Sequence, residues 1–244
     1  MRTKTLLIVA GALAVGIVSS QAQVYSQNIV GYANVVITGN QYNMLTVPFD
    51  SGVSNGANEV FSGNYALNPG YLPDGTILFR WNGTGFVANV YDTGVGADAN
   101  NWYNGDESAT ADTPVLLPGQ GFFLFPPANF TNLYAGTVAV NSGGSNVMTL
   151  TGNQYNMVGC VVPAAGVVSN SVINMYPPDG TILFTWNGTG FAGNVYDTQV
   201  GADANNWYNG DESATAPTPV INVGQGFFLF PSSTYQWTNS LPAN

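Results

Sequence analysis

The chain repeats itself. Thr38-Gly39-Asn40-Gln41-Tyr42-Asn43-Met44 recurs as residues 151–157, and residues 73–126 recur as 178–231 with eight differences over 54 positions. The offset between copies is 113 in the front block and 105 in the rear block, so the second copy is eight residues shorter between them. This duplication constrains the fold more than any composition does, because one copy and the other must reach the same structure. The shortening falls in the stretch that holds Asp50 to Tyr71 in the first copy and Ala164 to Pro177 in the second. The rear block has diverged far less than the front connection. Selection on that block and a recent duplication of it account for this equally.

Within a copy the apolar residues come in short runs bounded by Gly, Pro, Asn and Asp. Tyr42–Pro48, Thr76–Trp81, Gly85–Tyr91 and Gly121–Phe125 are rich in β-branched and aromatic residues and read as strands. Asn82-Gly83-Thr84-Gly85, repeated at Asn187–Gly190, reads as a tight hairpin turn. Phe122 to Phe125 is apolar at every position, the pattern of a strand covered on both faces. Tyr134–Val140 is expected to close the first copy. No long segment has a helical period. The expected fold is all-β: two tandem antiparallel β-sandwich or small-barrel modules, residues 23–140 and 141–244, joined near Asn141 to Ser145.

Residues 1–22 are expected to be a signal peptide. Met1-Arg2-Thr3-Lys4 is basic, Leu6–Val18 is apolar, and Ser20-Gln21-Ala22 supplies the small residues of a cleavage site before Gln23. The apolar run is shorter than the ~20 residues that span a bilayer. The expected location is therefore outside the inner membrane: periplasm, cell surface or medium. Cleavage removes two of the three basic residues and leaves Arg80 alone against 13 carboxylates, a formal charge of −12. One cation cannot neutralise a run of phosphates, which argues against a nucleic-acid partner. It argues equally against an anionic membrane surface. The one cysteine, Cys160, sits in an apolar run and reads as a core residue, with an intermolecular bridge as the alternative if it is exposed.

Three segments carry a resemblance. Tyr42-Asn43-Met44-Leu45-Thr46-Val47-Pro48, Trp81-Asn82-Gly83-Thr84-Gly85-Phe86 and Leu117-Pro118-Gly119-Gln120-Gly121-Phe122-Phe123-Leu124 follow one another in that order. This order resembles a bacterial extracellular β-module with a W-N-L-I-S-x-P strand, a W-D-G-x-x-W hairpin and an L-x-P-G-x-G-Y-W-V strand. Gln23 to Tyr32 is similar to the mature start of uncharacterised secreted proteins of verrucomicrobial-type bacteria. The resemblance covers most of both copies and implies an exported β-module with no catalytic residues to carry over. The second copy departs from it at Asn222-Val223-Gly224.

The inventory of reactive groups is narrow. The chain has no His, and the mature chain has no Lys. Serine triads, Cys–His pairs, His-based zinc sites and Schiff bases each lack a required part. Paired carboxylates, as in glycoside hydrolysis, are what remains. The candidate region is the acidic, aromatic stretch after the hairpin, read as a long loop. It holds Asp98, Asn100, Trp102, Tyr103, Asp106 and Glu107, and in the second copy Asp203, Asn205, Trp207, Tyr208, Asp211 and Glu212. Three uses compete. Asp98, Asn100, Asp106 and Glu107, with their twins, have the oxygen ligands of a Ca²⁺ loop. Trp102, Tyr103, Trp207 and Tyr208 beside Asn and Asp have the makeup of a carbohydrate platform, doubled for avidity. In the third use the carboxylates solvate a purely structural loop and the indoles fold back into the core. The sequence favours a non-catalytic structural or adhesive surface protein. A calcium-dependent or aromatic-platform glycan binder comes second and a carboxylate glycosidase third. Glycans or other surface proteins are the expected partners.

Overall fold

The computed structural model describes residues 30–52, 54–61, 72–94, 101–198 and 206–242. The signal segment and the expected ligands Asp98, Asn100, Asp203 and Asn205 lie outside the described residues.

The chain is all-β, with one turn of helix among the described residues. The first copy contains β1 (Val30–Ile37), β2 (Asn43–Thr46), α1 (Ala57–Val60), β3 (Thr76–Trp81), β4 (Phe86–Asp92), β5 (Asn101–Asn104), β6 (Thr110–Ala111), β7 (Gly121–Phe125) and β8 (Phe130–Thr137). The second contains β9 (Ser145–Leu150), β10 (Asn156–Gly159), β11 (Gly166–Val167), β12 (Thr181–Trp186), β13 (Phe191–Asp197), β14 (Asn206–Asn209), β15 (Val220–Ile221), β16 (Gly226–Phe230) and β17 (Tyr235–Ser240). β2-β7-β3-β4-β5-β6 form one antiparallel sheet, and β10-β16-β12-β13-β14 form its counterpart. In each copy the first strand pairs with the last, β1 with β8 and β9 with β17, as a separate two-stranded ribbon. No barrel closes among the described residues. A turn in which Asn141 N–H donates to Ser145 O leads from one copy into β9.

Side-chain alternation builds the layers. On β3, Thr76, Leu78 and Arg80 face one way and Ile77, Phe79 and Trp81 the other. The Leu78 side packs under the β1–β8 ribbon, where Ile37, Tyr134, Leu45, Phe122, Leu124, Tyr91 and Trp102 form the first core. Leu150, Leu183, Tyr196, Trp207, Phe227 and Trp237 form the matching core of the second copy. Cys160 belongs to this core at 4% exposure, and burial pushes its thiol up to about 12, so it is not placed to bridge chains.

The opposite sheet faces meet each other. Met44, Phe123, Met157 and Phe228 are buried there, flanked by Phe79, Trp81, Phe184 and Trp186. Phe86, Phe123, Phe191 and Phe228 close a ring of four contacts with centroid distances of 5.8, 6.2, 5.7 and 6.3 Å. Such pairs contribute about 0.5–1.5 kcal/mol each beyond the area they bury. Hydrogen bonds across the seam are reciprocal. Trp81 Nε1 donates to Tyr155 O at 2.9 Å, and Trp186 Nε1 donates to Tyr42 O at 2.8 Å. Thr46 N–H donates to Gly224 O, and Gly159 N–H to Gly119 O, both at 2.9 Å. Every pair maps onto its partner by the repeat offsets, so the copies are related by a pseudo-two-fold axis. Thr46 and Gly159 stand on that axis: a Cβ on Gly159 would lie 2.3 Å from Thr46 Cγ2. A Cβ on Gly226 would lie 2.5 Å from Leu45 O, so glycine there admits the close approach of two backbones.

Two expectations are corrected in detail, and one strand is added. The closing strand starts at Phe130 rather than Tyr134, and its partner β1 carried no sequence expectation. β1 hid because Val30, Tyr32 and Val36 point outward and stay exposed. The stretch expected as an irregular loop contains a hairpin, β5–β6, whose Asn101 and Asn104 masked a strand.

Candidate functional site

The acidic hairpin is built from its own side chains. Asp106 Oδ1 accepts the Ser108 N–H at 3.1 Å and the Ser108 hydroxyl at 2.7 Å. Asn104 donates to Ser108 Oγ at 2.9 Å and accepts the Ala109 N–H at 3.2 Å. Glu107 takes the left-handed conformation at φ 57°, the corner of the turn. The second copy repeats the arrangement at Asp211, Ser213, Asn209 and Glu212 with Asp211 accepting at 3.1 and 2.7 Å. Hydrogen bonds from the serine hydroxyl, then from its N–H, hold Asp106 and Asp211 below the usual carboxylate range. One oxygen of each carboxylate is thus committed to the turn. Among the described residues, no three carboxylate or thiol groups come together as a metal cluster.

The indoles expected as a platform are core residues. Trp102 is 1% exposed, and its Nε1 donates to Asn58 Oδ1 at 2.8 Å. Trp207 is 2% exposed. Tyr91 and Tyr196 lie against them at 5.2 and 5.1 Å. A sugar cannot reach either indole face, because strand alternation turns both toward the ribbon. Tyr103 and Tyr208 alternate to the other face and are half-buried.

A second region is organised, and it lies along the seam between copies. A cleft of about 380 Å³ is lined by Gln41, Tyr42, Trp186, Asn187, Asn222 and Gln225, among others, and none of its lining residues is charged. Through Tyr42 and Trp186 it continues into an apolar groove of about 310 Å³ formed with Phe79, Phe86, Phe123 and Phe191. Tyr42 is 44% and Phe191 46% exposed. Gln225 Oε1 accepts the Asn222 N–H at 2.9 Å and its side-chain amide at 3.2 Å. Asn187 Oδ1 is committed to its own turn, accepting Thr189 and Gly190 N–H. The remaining amide groups, Asn187 Nδ2, Asn222 Oδ1 and Gln225 Nε2, have no partner among the described residues.

The other side of the axis has different chemistry. Trp81, Asn82 and Tyr155 recur there, but the matching residues of the 222–223 pair are Leu117 and Pro118, with Leu117 exposed. Three of the eight differences between the rear blocks are consecutive, at 116–118 against 221–223. The sequence signal for this cleft was that clustering, together with apolar residues on both faces of β3.

Arranged this way, the chain is a duplicated all-β sandwich whose two copies share a third, aromatic core. No family model, curated protein or solved structure matches it. No helix among the described residues is long and apolar enough to cross a membrane.

Proposed function

We propose that this is an exported, non-catalytic structural or adhesive protein of the cell surface or extracellular matrix. The observation that carries the reading is the condition of the acidic hairpins. They hold the strongest concentration of carboxylates in a chain without histidine, yet Asp106 and Asp211 close their own turns and Trp102 and Trp207 pack inward. Groups that a hydrolase would present to substrate are used to build the fold. The aromatic seam supports the same reading, since it locks two copies into one body, as suits a load-bearing or display module.

Export and surface display are tested together. The full chain, tagged at its C-terminus, is expressed in a bacterial host and the fractions are compared. The reading expects loss of residues 1–22 and a tag that external protease removes from intact cells. Retention in the cytoplasm with the N-terminus uncut would overturn it.

A further inference from the structure

We propose that the polar cleft on the Trp186–Asn222 side of the seam binds a neutral oligosaccharide. The inference deepens the surface-module reading and rests on it for where the ligand is met. Three observations point to this chemistry.

First, the lining is uncharged in a chain whose mature charge is −12. A cationic ligand would find no carboxylate there and an anionic one no counter-charge. Second, the unspent hydrogen-bonding groups are amides of both polarities: Asn222 Oδ1 accepts, while Asn187 Nδ2 and Gln225 Nε2 donate. Hydroxyl groups, which donate and accept at once, satisfy such a set. Third, these amides adjoin rings that are partly open, Tyr42 and Phe191, with the half-buried Trp186 between them. A sugar ring presents C–H groups on its faces and hydroxyls at its rim, which fits an aromatic floor with an amide edge. Binding sites of about 300–1,000 Å³ with a few placed polar groups are the usual form for such ligands.

Rigidity favours the site as well. Trp186 is pinned by its bond to Tyr42 O, and Asn187 by its turn. Little side-chain freedom is left to lose when a ligand arrives. The pseudo-symmetric position lacks the amide at residue 222, because Leu117 stands there. One site per chain follows.

The test titrates the secreted full chain with neutral series (cello-, laminari-, xylo- and chito-oligosaccharides), with an oligogalacturonate as acidic probe and with an apolar peptide. Calorimetry gives stoichiometry, and tryptophan fluorescence gives an independent affinity. The expected result is saturable binding of at least one neutral series at one site per chain. Asn222→Leu should weaken it about tenfold, the loss of one well-placed hydrogen bond. That substitution installs the residue already carried at position 117, and an unchanged melting curve shows that the fold survives. Four outcomes would overturn the proposal: no saturable binding by any neutral series at millimolar concentration, affinity unchanged by Asn222→Leu, two equal sites per chain, or preference for the acidic or peptide probe. The fractionation experiment can fail without touching this result, and this one can fail with export intact.

Discussion

Phe122 on β7 and Phe227 on β16 occupy matching places in the two copies, yet the ring that covers each comes from a different part of the chain. In the first copy Phe61, just after α1, sits edge-on to Phe122 at 6.1 Å. In the second copy Trp237, on the last strand, packs on Phe227 at 5.7 Å. Trp237 matches Asn132 of β8 in strand register. The large ring has moved from the connection in the first copy to the last strand in the second. The matching strand position serves a backbone carbonyl of the connection in both copies: Asn132 Nδ2 donates to Val60 O at 3.1 Å, and Trp237 Nε1 to Ile173 O at 2.7 Å. The fold therefore requires a filled volume and a satisfied carbonyl, and leaves the supplier open. The offset between copies is 113 at Thr46 and Gly159 but 111 at Gly56 and Val167, which pair with the matching Val115 and Val220, so two of the eight missing residues precede this point and six follow it.

The comparison breaks most sharply at Trp237. Trp237→Ala should cost about 4 kcal/mol in urea unfolding, the range for emptying a core of its indole. Asn132→Ala at the matching position should cost only about 1–2 kcal/mol, because it orphans a carbonyl without opening a large void. Equal losses would show that the ring over Phe227 is not a substitute for Phe61. Next comes the axis. Gly159→Thr makes the copies identical at a point where they touch, and should cost about 2 kcal/mol by overpacking. Adding Thr46→Gly should recover most of it. A double variant no better than the single one would separate the two residues.

Acid sets a smaller effect that both copies should share. A carboxyl whose folded pKa is depressed stabilises the fold above its unfolded value and loses that contribution as pH falls through the folded one. Asp106 and Asp211 are depressed alike, so the melting temperature should fall below about pH 4. Asp106→Asn and Asp211→Asn should each remove the same small share of that fall. Unequal shares would show that the hairpins differ in solution. The smallest expected effect is none: millimolar Ca²⁺ should leave the melting temperature unchanged. A bound cation at about 100 times its Kd would add about 2.7 kcal/mol. A rise abolished by Asp106→Asn would bring Asp98, Asn100 and Glu107 back as its ligands.

The strands β3 and β7 were legible to the residue, because apolar runs between Gly, Asn and Pro mark a covered strand wherever it lies. The turn at Asn82 was legible too, and its side chain accepts the Thr84 and Gly85 N–H groups. β1 was not, because a ribbon strand that exposes Val30, Tyr32 and Val36 carries no inward-outward contrast. β5 was not, because asparagines at its ends mimic a loop. Trp102 had two readings, and a hydrogen bond to Asn58, 44 positions away, decided between them. The seam cleft left only an indirect trace, the clustered differences at 116–118, because Gln41 and Asn222 come to line one cleft only after both copies fold and meet.

The pairing of Trp81 with Tyr155 and of Trp186 with Tyr42 makes the chain equivalent to a dimer whose subunits share one backbone. Two free copies would have to find each other, and dilution would separate them. With a turn at residues 141–145 as the tether, the second copy is always present at an effective concentration set by the linker and not by the surroundings. Association no longer depends on how much protein is present, and a single molecule carries its complete surface.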